Sequence, residues 1–554
     1  MQKTFVLSAE HMSPENFAVL RQALQRRLAE RGCALGEDGF AVELCIGTDL
    51  REGEYRVHPS DDSVHIVAAD DCAAFAGLGA WLRACSFDGE GGCEIAKHEF
   101  AFTPERPVRG LYFATHFHNF YHIAPVEKVL EQIEDAALRG GNTIAVWYDM
   151  HHFASLKDAD SQSLIVRLKQ ILRHARRIGM KTCMTMLSNE AFSGTPEHLK
   201  AQSAAQNGYH SVLDGHYGVE ICPNAPGGIE EIVRQRRLVL HEFADVQPDY
   251  IMYWPYDQGG CTCKKCAPWG ANGLLMLFPH FANVVREEMP GAKIIFSTWY
   301  FNLFRDGEWD SFWPLANAGS VDAAEYLIDF FPRGKLPDVI CQNGLPAGKR
   351  MLSFPEISMF GGKPWGGFGA NPLPAFLQES NDLGMPIYSG MLCYSEGIFE
   401  DINKSIMLAA CSGREADSDR AIAEYARFEW CMQELEPAVR LLHMLEKTLP
   451  REERFEGDTI RYVIQNDEDV PAAAALARDI HAKLPVRARE NWRWRIVYLR
   501  ALADEALLRA DGLPSAEADE YLEELERIYY VGEQTLPVVR PPTRAHVAWR
   551  CKKK

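Results

Sequence analysis

The sequence predicts a (β/α)8 barrel, preceded by a small α/β domain and followed by a helical region. Between residues 105 and 402, short apolar segments alternate with amphipathic helical stretches, which is the pattern of parallel βα units. Eight such apolar segments occur, and no Gly-rich phosphate turn of an open doubly wound sheet follows the first of them. The chain of 554 residues also exceeds what one hydrophobic core usually holds, so more than one domain is expected.

Residues 1–104 form the predicted small α/β domain. A strand, TFVLSA, precedes an amphipathic helix, SPENFAVLRQALQRRLAERG, and a second strand, AVELCIGT. Two alternating segments then flank the turn residues PSDD, and a helix with small residues on one face follows. Because no polar side chains cluster here, we expect this domain to be structural or to serve in docking.

Residues 105–402 form the predicted barrel, and residues 403–554 the helical C-terminal domain. The expected barrel strands, in chain order, are GLYFAT, NTIAVWYDM, MKTCMTML, DYIMYWPYD, AKIIFSTWYF, VDAAEYLIDF, EISMF and PIYSGMLCYSE. After the last of them the chain contains amphipathic helical runs such as AEADEYLEELERIYYVGEQ. If the protein forms a homo-oligomer, we expect these C-terminal helices to supply the subunit contact.

Charge and hydropathy exclude two classes of partner. The chain carries 58 Lys+Arg and 77 Asp+Glu, a net charge of 58 − 77 = −19, which repels phosphate backbones and anionic lipid surfaces. We therefore expect no nucleic-acid and no membrane partner. The first residues lack a long apolar segment with a small-residue cleavage site, and the 15 cysteines are scattered, so a cytoplasmic location is expected.

Polar and aromatic side chains recur where the predicted barrel strands end. In a (β/α)8 barrel the active site lies at the carboxyl ends of the strands. Aromatic rings offer flat apolar faces and His, Asp and Glu offer directional hydrogen bonds, a combination that suits a sugar ring. We therefore expect an oligosaccharide or glycoside substrate. The predicted substrate-binding residues are His116, His118, Trp147, Asp149, His151, Glu190, Tyr256, Trp299, Tyr300, Trp365 and Tyr394.

Three carboxylates are the predicted catalytic residues. Asp257 follows an apolar strand and lies between aromatic residues and glycines, so partial desolvation would raise its pKa and suit it to proton donation. Glu356 and Glu396 both follow apolar segments late in the barrel, and either could act as the base or nucleophile, with Glu356 slightly favoured. Glu190 is held in reserve because it falls one strand too early. No cofactor is expected for catalysis.

The segment CTCKKC suggests a metal site rather than a catalytic one. It supplies Cys261, Cys263 and Cys266, and Cys222 lies before the preceding helix, from which the fourth strand could return the chain close to it. Four thiolates would form a closed structural zinc site, whereas a catalytic zinc needs an open position. Buried thiols without metal and a redox CxxC pair are the alternatives, although the thioredoxin-like setting of such a pair is absent.

Several segments resemble known glycosidases. GEYRVHPSDDSVHIVAADDCAAFAGLGAWL is similar to the small α/β domain before the barrel of family-20 glycoside hydrolases, the β-N-acetylhexosaminidases, and of α-glucuronidases. RPVRGLYF resembles their junction between the two domains. CPNAPGG, DQGGCTCKKC and YSEGIFEDINK resemble bacterial barrel proteins related to family-163 endo-β-N-acetylglucosaminidases. The resemblance implies a glycosidase of the barrel type.

The resemblance fails at one functional motif. Family-20 enzymes carry an adjacent Asp-Glu pair at the end of the fourth strand, where the Asp orients the acetamido group of the substrate. Here that strand ends in WPYDQGG, so a distant carboxylate would have to complete the pair. The leading hypothesis is thus a hydrolase that removes a terminal sugar, such as an N-acetylhexosamine, from small oligosaccharides. A non-hydrolytic carbohydrate-binding barrel and a metal-dependent hydrolase using His116 and His118 remain the alternatives.

Overall fold

The computed structural model describes residues 2–202, 204–210, 219–255, 260–358, 369–413, 417–456, 459–513 and 515–530. Its N-terminal part is a six-stranded sheet of β1 (Thr4–Glu10), β2 (Ala34–Leu35), β3 (Phe40–Ile46), β4 (Tyr55–Pro59), β5 (Ser63–Ala68) and β8 (Phe100–Phe102). A short pair, β6 (Ser86–Phe87) and β7 (Cys93–Glu94), lies outside the sheet. The strand order is β2-β1-β3-β5-β4-β8, and β4 runs antiparallel to both of its neighbours.

Helices α1 (Pro14–Ala29) and α2 (Asp71–Ala84) cover this sheet. The small residues of α2 allow it to approach the first long helix of the barrel, α4 (Val126–Leu138), very closely. A Cβ atom at Gly79 would lie only 1.8 Å from the backbone oxygen of Leu138. The small-residue face that the sequence displays therefore packs the N-terminal sheet against the barrel.

Eight parallel strands close into a barrel, as the sequence predicts. In chain order they are β9 (Val108–Phe113), β10 (Thr143–Trp147), β11 (Lys181–Leu187), β12 (Tyr250–Trp254), β13 (Lys293–Ser297), β14 (Ala324–Asp329), β15 (Arg350–Ser353) and β16 (Tyr388–Ser395). Each strand pairs with the next along the chain, and β16 pairs with β9 to close the cylinder. Every βα loop that follows a strand therefore reaches the same end of the barrel.

The seventh strand was predicted in the wrong place. The segment EISMF follows the strand instead of forming it, because the short run Arg350–Ser353 pairs with both β14 and β16. Glu356, the first residue of EISMF, forms an isolated bridge with Tyr394. As a result Glu356 lies in the loop at the carboxyl end of β15.

Helices surround the barrel and continue beyond it. Those of the barrel are α3 (Phe120–Ile123), α4, α5 (Ala159–Arg177), α6 (Gly228–Glu242), α7 (Leu275–Glu288), α8 (Glu308–Leu315), α9 (Asp338–Asn343), α10 (Pro374–Gly384) and α11 (Asp401–Cys411). The later ones are α12 (Ser418–Glu429), α13 (Glu436–Lys447), α14 (Val470–Lys483), α15 (Val486–Glu490), α16 (Trp492–Arg509) and α17 (Ala516–Tyr529), with a hairpin of β17 (Arg451–Glu456) and β18 (Thr459–Ile464). Within the described ranges, each helix is too short or too polar for a membrane crossing.

A buried ion network joins the three parts of the chain. The guanidinium of Arg493, on α16, forms ion pairs with Asp135 on α4, with Asp401 at 3.2 Å and with Glu429 at 3.6 Å. Arg27, on α1, also pairs with Glu429. All five side chains are buried, so each charge depends on its partners for compensation.

Candidate active site

The loops after β10 and β11 build one corner of the barrel mouth around Glu190. One carboxylate oxygen of Glu190 lies 2.6 Å from Nδ1 of His151 and accepts a hydrogen bond from the His151 amide at 3.2 Å. The other oxygen accepts a hydrogen bond from Nε1 of Trp147 at 3.3 Å. Arg236, on α6, donates a hydrogen bond to the backbone carbonyl of Glu190, which fixes the backbone of this residue. Three predicted binding residues therefore form one hydrogen-bonded unit.

Asp149 is fully buried beside this unit. Burial, together with the nearby charge of Glu190, raises the pKa of Asp149 well above its usual range. Burial and the neighbouring His151 lower the pKa of His152 to about 3. His152 Nε2 lies 3.3 Å from Asp149 Oδ2, so burial disfavours the charged forms of both members of this contact. One ligand atom from each of Asp149, His151 and His152 lies within 4.8 Å of the other two.

His116 and His118 do not form the pair that a shared strand would produce. Strand β9 ends at Phe113, and the backbone turns through left-handed conformations at Phe117 and His118. The His116 ring lies 5.0 Å from Trp147, whereas the His118 ring lies 5.4 Å from Tyr530 in the C-terminal region. The metal-dependent hypothesis that used both histidines was based on a strand that does not extend this far.

Glu396 follows β16 and is almost completely buried. Its Oε1 accepts a hydrogen bond from the Tyr394 hydroxyl at 3.2 Å. Burial is the main cause that raises the pKa of Glu396 well above its usual range, and the charges of Glu400 and Glu356 raise it further. Glu400 fixes the loop, since one of its oxygens accepts hydrogen bonds from the Glu396 amide at 2.6 Å and the Gly397 amide at 2.7 Å. Glu356 is half-buried nearby.

A further acid, Asp329, ends β14. Its two oxygens accept hydrogen bonds from Thr298 Oγ1 at 2.6 Å and from the Phe330 amide at 2.7 Å. Burial nevertheless raises the pKa of Asp329 to about 7. Glu325, at the opposite end of the same strand, contacts Lys293 and Arg350 and so lies away from the mouth.

Aromatic side chains fill the barrel below these acids. The ring of Trp299 lies 5.4 Å from Trp254 and 4.6 Å from Tyr300, and Phe354 packs against both tryptophans. Trp147 belongs to the same interior cluster, while Tyr300 and Tyr394 pack at its partly exposed edge. The predicted residues Tyr256, Asp257 and Trp365 lie outside the described residues.

The four predicted cysteines come together between two neighbouring loops. Cys222 lies in the loop between β11 and α6, and the other three lie in the loop between β12 and α7. The sulfur atoms of Cys222, Cys261, Cys263 and Cys266 all lie within 4.8 Å of one another. The cluster flanks the mouth on the side of the third and fourth strands.

The chain has the same fold as several glycoside hydrolases of known structure. A family-89 enzyme of Clostridium perfringens, solved with GlcNAc-α-1,4-galactose, matches with a TM-score of 0.59 and 11% identity over 93% of this chain and 64% of its own. The family-115 4-O-methyl-α-glucuronidase BtGH115A matches with a TM-score of 0.58 and 10% identity over 96% of this chain and 77% of its own. The family-20 β-N-acetylhexosaminidase of Streptomyces coelicolor A3(2) matches with a TM-score of 0.51 and 13% identity over 77% of this chain and 92% of its own.

These matches establish the architecture that the sequence predicts. No protein-family profile and no curated sequence matches the chain. At identities of 10–13% the structural matches concern the barrel and its additional elements, and the chemistry has to be argued from the site itself.

The structure also brings residues to the site that sequence reasoning missed. Tyr529, at the end of α17, donates its hydroxyl to the backbone carbonyl of Glu396 at 2.9 Å and accepts a hydrogen bond from the Phe120 amide at 3.1 Å. His122 accepts a hydrogen bond from the His118 amide at 3.1 Å. Only the HFHNFYH run could have indicated His122, and nothing in the sequence indicates Tyr529, because it lies more than a hundred residues away.

Proposed function

We propose that the protein is a glycoside hydrolase that removes a terminal sugar from small oligosaccharides by acid/base catalysis with two carboxylates. The observation that carries this proposal is the pair formed by Glu396 and Glu356 at the barrel mouth. One member, Glu396, is buried, and the other, Glu356, is half-buried and carries a charge that helps to raise the pKa of Glu396. Glycoside hydrolysis needs one carboxyl group that donates a proton and another that acts as base or nucleophile.

The environments of these acids suggest their roles. Glu396 is less suited than Glu356 to be the base or nucleophile, because burial and the neighbouring carboxylates raise its pKa and so disfavour its ionised form. Glu356 therefore remains the favoured base or nucleophile. Asp257 remains the predicted general acid from its sequence context, and Glu396 is a second candidate for that role.

The remaining residues of the mouth suit sugar recognition. The unit of Glu190, His151 and Trp147 combines a carboxylate, an imidazole and an aromatic face, which can bind adjacent hydroxyl groups and an apolar ring face. Trp299 and Tyr300 offer a second aromatic surface. We favour an N-acetylhexosamine as the terminal sugar, since proteins of the same fold have been solved with N-acetylglucosamine and with GlcNAc-α-1,4-galactose.

The test is a panel of nitrophenyl glycosides, including α- and β-linked N-acetylhexosaminides and glucuronides. Three variants, Asp257→Asn, Glu356→Gln and Glu396→Gln, are then compared on substrates with good and poor leaving groups. Loss of the general acid should lower turnover at least about 100-fold on poor leaving groups and much less on good ones. Loss of the base or nucleophile should lower turnover on both. The absence of turnover on every glycoside, together with saturable sugar binding, would favour the non-hydrolytic alternative.

One observation favours a second candidate, a metal-dependent hydrolase. Asp149, His151 and His152 present two imidazoles and a carboxylate within 4.8 Å of one another, and Glu190 could orient His151 as carboxylates orient metal-bound histidines. Activity that is abolished by a chelator and by His152→Ala, but survives Glu356→Gln and Glu396→Gln, would select this candidate.

A further inference from the structure

The four clustered cysteines are close enough together to bind one metal ion. The sulfur of Cys222 lies 3.8 Å from that of Cys266 and 4.0 Å from that of Cys263. Zinc–sulfur bonds of about 2.3 Å place the ligands of a tetrahedral site about 3.8 Å from one another. Disulfides are excluded as the explanation, since their sulfurs are about 2.05 Å apart and all four cysteines are free.

A side-chain donor is directed at one sulfur of the cluster. The side-chain amide of Asn224 donates a hydrogen bond to the sulfur of Cys266 at 3.2 Å. Such hydrogen bonds to a ligand atom are the outer contacts that orient the ligands of a metal site.

Backbone pairing ties both cysteine-bearing loops to neighbouring segments. Cys222 follows a short ladder in which Glu190 bridges Glu220 and Lys200 bridges Ile221. On the other loop, the amide of Thr262 donates to the carbonyl of Gln202 at 2.8 Å, which ties this loop to the one before it. Cys261 and Cys266 are fully buried, so an ion at the centre would be screened from water by protein.

We propose that Cys222, Cys261, Cys263 and Cys266 bind one structural zinc ion that cross-links the third and fourth βα loops at the barrel mouth. Four thiolates leave no open position, so the ion takes no part in catalysis. It instead fixes the loop that follows β12, in which Asp257 stands four residues before Cys261. The site does not depend on the proposed glycosidase activity.

Metal analysis of the full-length protein tests the site. After reconstitution with Zn²⁺ and removal of excess metal, the protein should hold about one zinc per chain. Cys263→Ser and Cys266→Ser should hold little zinc, whereas Cys341→Ser, which changes an exposed free cysteine, should hold as much as the parent. Zinc that survives Cys263→Ser, or that is lost with His152→Ala, would overturn the proposal in favour of the Asp149 group.

Cobalt substitution of the parent protein provides a readout that does not depend on folded variants. Co²⁺ bound by four thiolates shows intense ligand-to-metal charge-transfer bands and the ligand-field bands of a tetrahedral ion. Added Zn²⁺ should displace the Co²⁺ and abolish these bands. A weak spectrum of oxygen and nitrogen ligation, bound iron in place of zinc, or no uptake of either metal would each overturn the proposal. The zinc-loaded protein should also unfold at a higher temperature than the metal-free protein, because a ligand that binds only the folded state stabilises it.

Discussion

Replacing Glu396 with glutamine tests whether this buried carboxyl holds its proton in the folded protein. Only 2% of the residue is exposed, and burial raises its pKa well above the ordinary value. Because the folded-state pKa is raised, the proton contributes stability that is fully present below the unfolded pKa and is lost as pH rises. Glutamine has nearly the same shape as glutamate but does not ionise, and its side-chain oxygen can still accept the hydrogen bond from Tyr394.

The magnitude follows from proton linkage. Each pH unit between the unfolded and folded pKa values corresponds to about 1.4 kcal/mol. The parent should therefore lose stability relative to Glu396→Gln as pH rises from 5 toward the raised folded pKa, with this slope as the upper limit. Titrating groups that do not interact with Glu396 affect both proteins equally and cancel in this comparison.

The assay is urea unfolding of both proteins at several pH values from 5 to about 8, within the range where carboxyl linkage operates. Glu287→Gln, at a glutamate whose side chain is 56% exposed, controls for the loss of one negative charge. A stability difference between parent and Glu396→Gln that is the same at every pH would refute the reasoning, because it would mean that Glu396 is ionised in the folded protein. Glu356→Gln should reduce the pH dependence of the parent, since the Glu356 charge helps to raise the pKa of Glu396.

Three further predictions concern how the parts of the chain hold together. Arg493→Met should lower the free energy of unfolding by about 3–5 kcal/mol, because it leaves buried carboxylates without compensation. Burial alone would raise the pKa of Asp401, but the charges of Arg139 and Arg493 lower it to about 2. The stability that ionised Asp401 contributes should therefore be present above pH 4 and lost as pH falls toward 2, as acid titration of unfolding would measure. Gly79→Ala should cost at least about 1–3 kcal/mol through overpacking against α4, whereas Gly291→Ala, with no neighbour within 4 Å of its Cβ, should change the melting temperature little. Tyr529→Phe should cost about 1–3 kcal/mol, measured by urea unfolding, because it removes the hydroxyl that hydrogen-bonds the Glu396 carbonyl.

Tertiary pairing decided the details of the barrel that local patterns could not. The segment EISMF has the apolar alternation of a strand, but the residues that pair with β14 and β16 are Arg350–Ser353. A strand exists only where neighbours accept and donate its hydrogen bonds, and those neighbours are distant in sequence. The prediction placed Glu356 at the start of the seventh strand, whereas the structure places it in the loop that follows this strand at the barrel mouth.

By itself the sequence determined the (β/α)8 barrel and the α/β sheet before it, because hydrophobic periodicity is a local property of each segment. The spacing of CTCKKC likewise predicted a cysteine cluster from adjacent residues. Only the tertiary structure joined Glu190 to Trp147 and His151, and brought Tyr529 from the last described helix to the carbonyl of Glu396. The raised pKa of Glu396 also depends on the whole fold, because it follows from how completely distant segments exclude water from the carboxyl group.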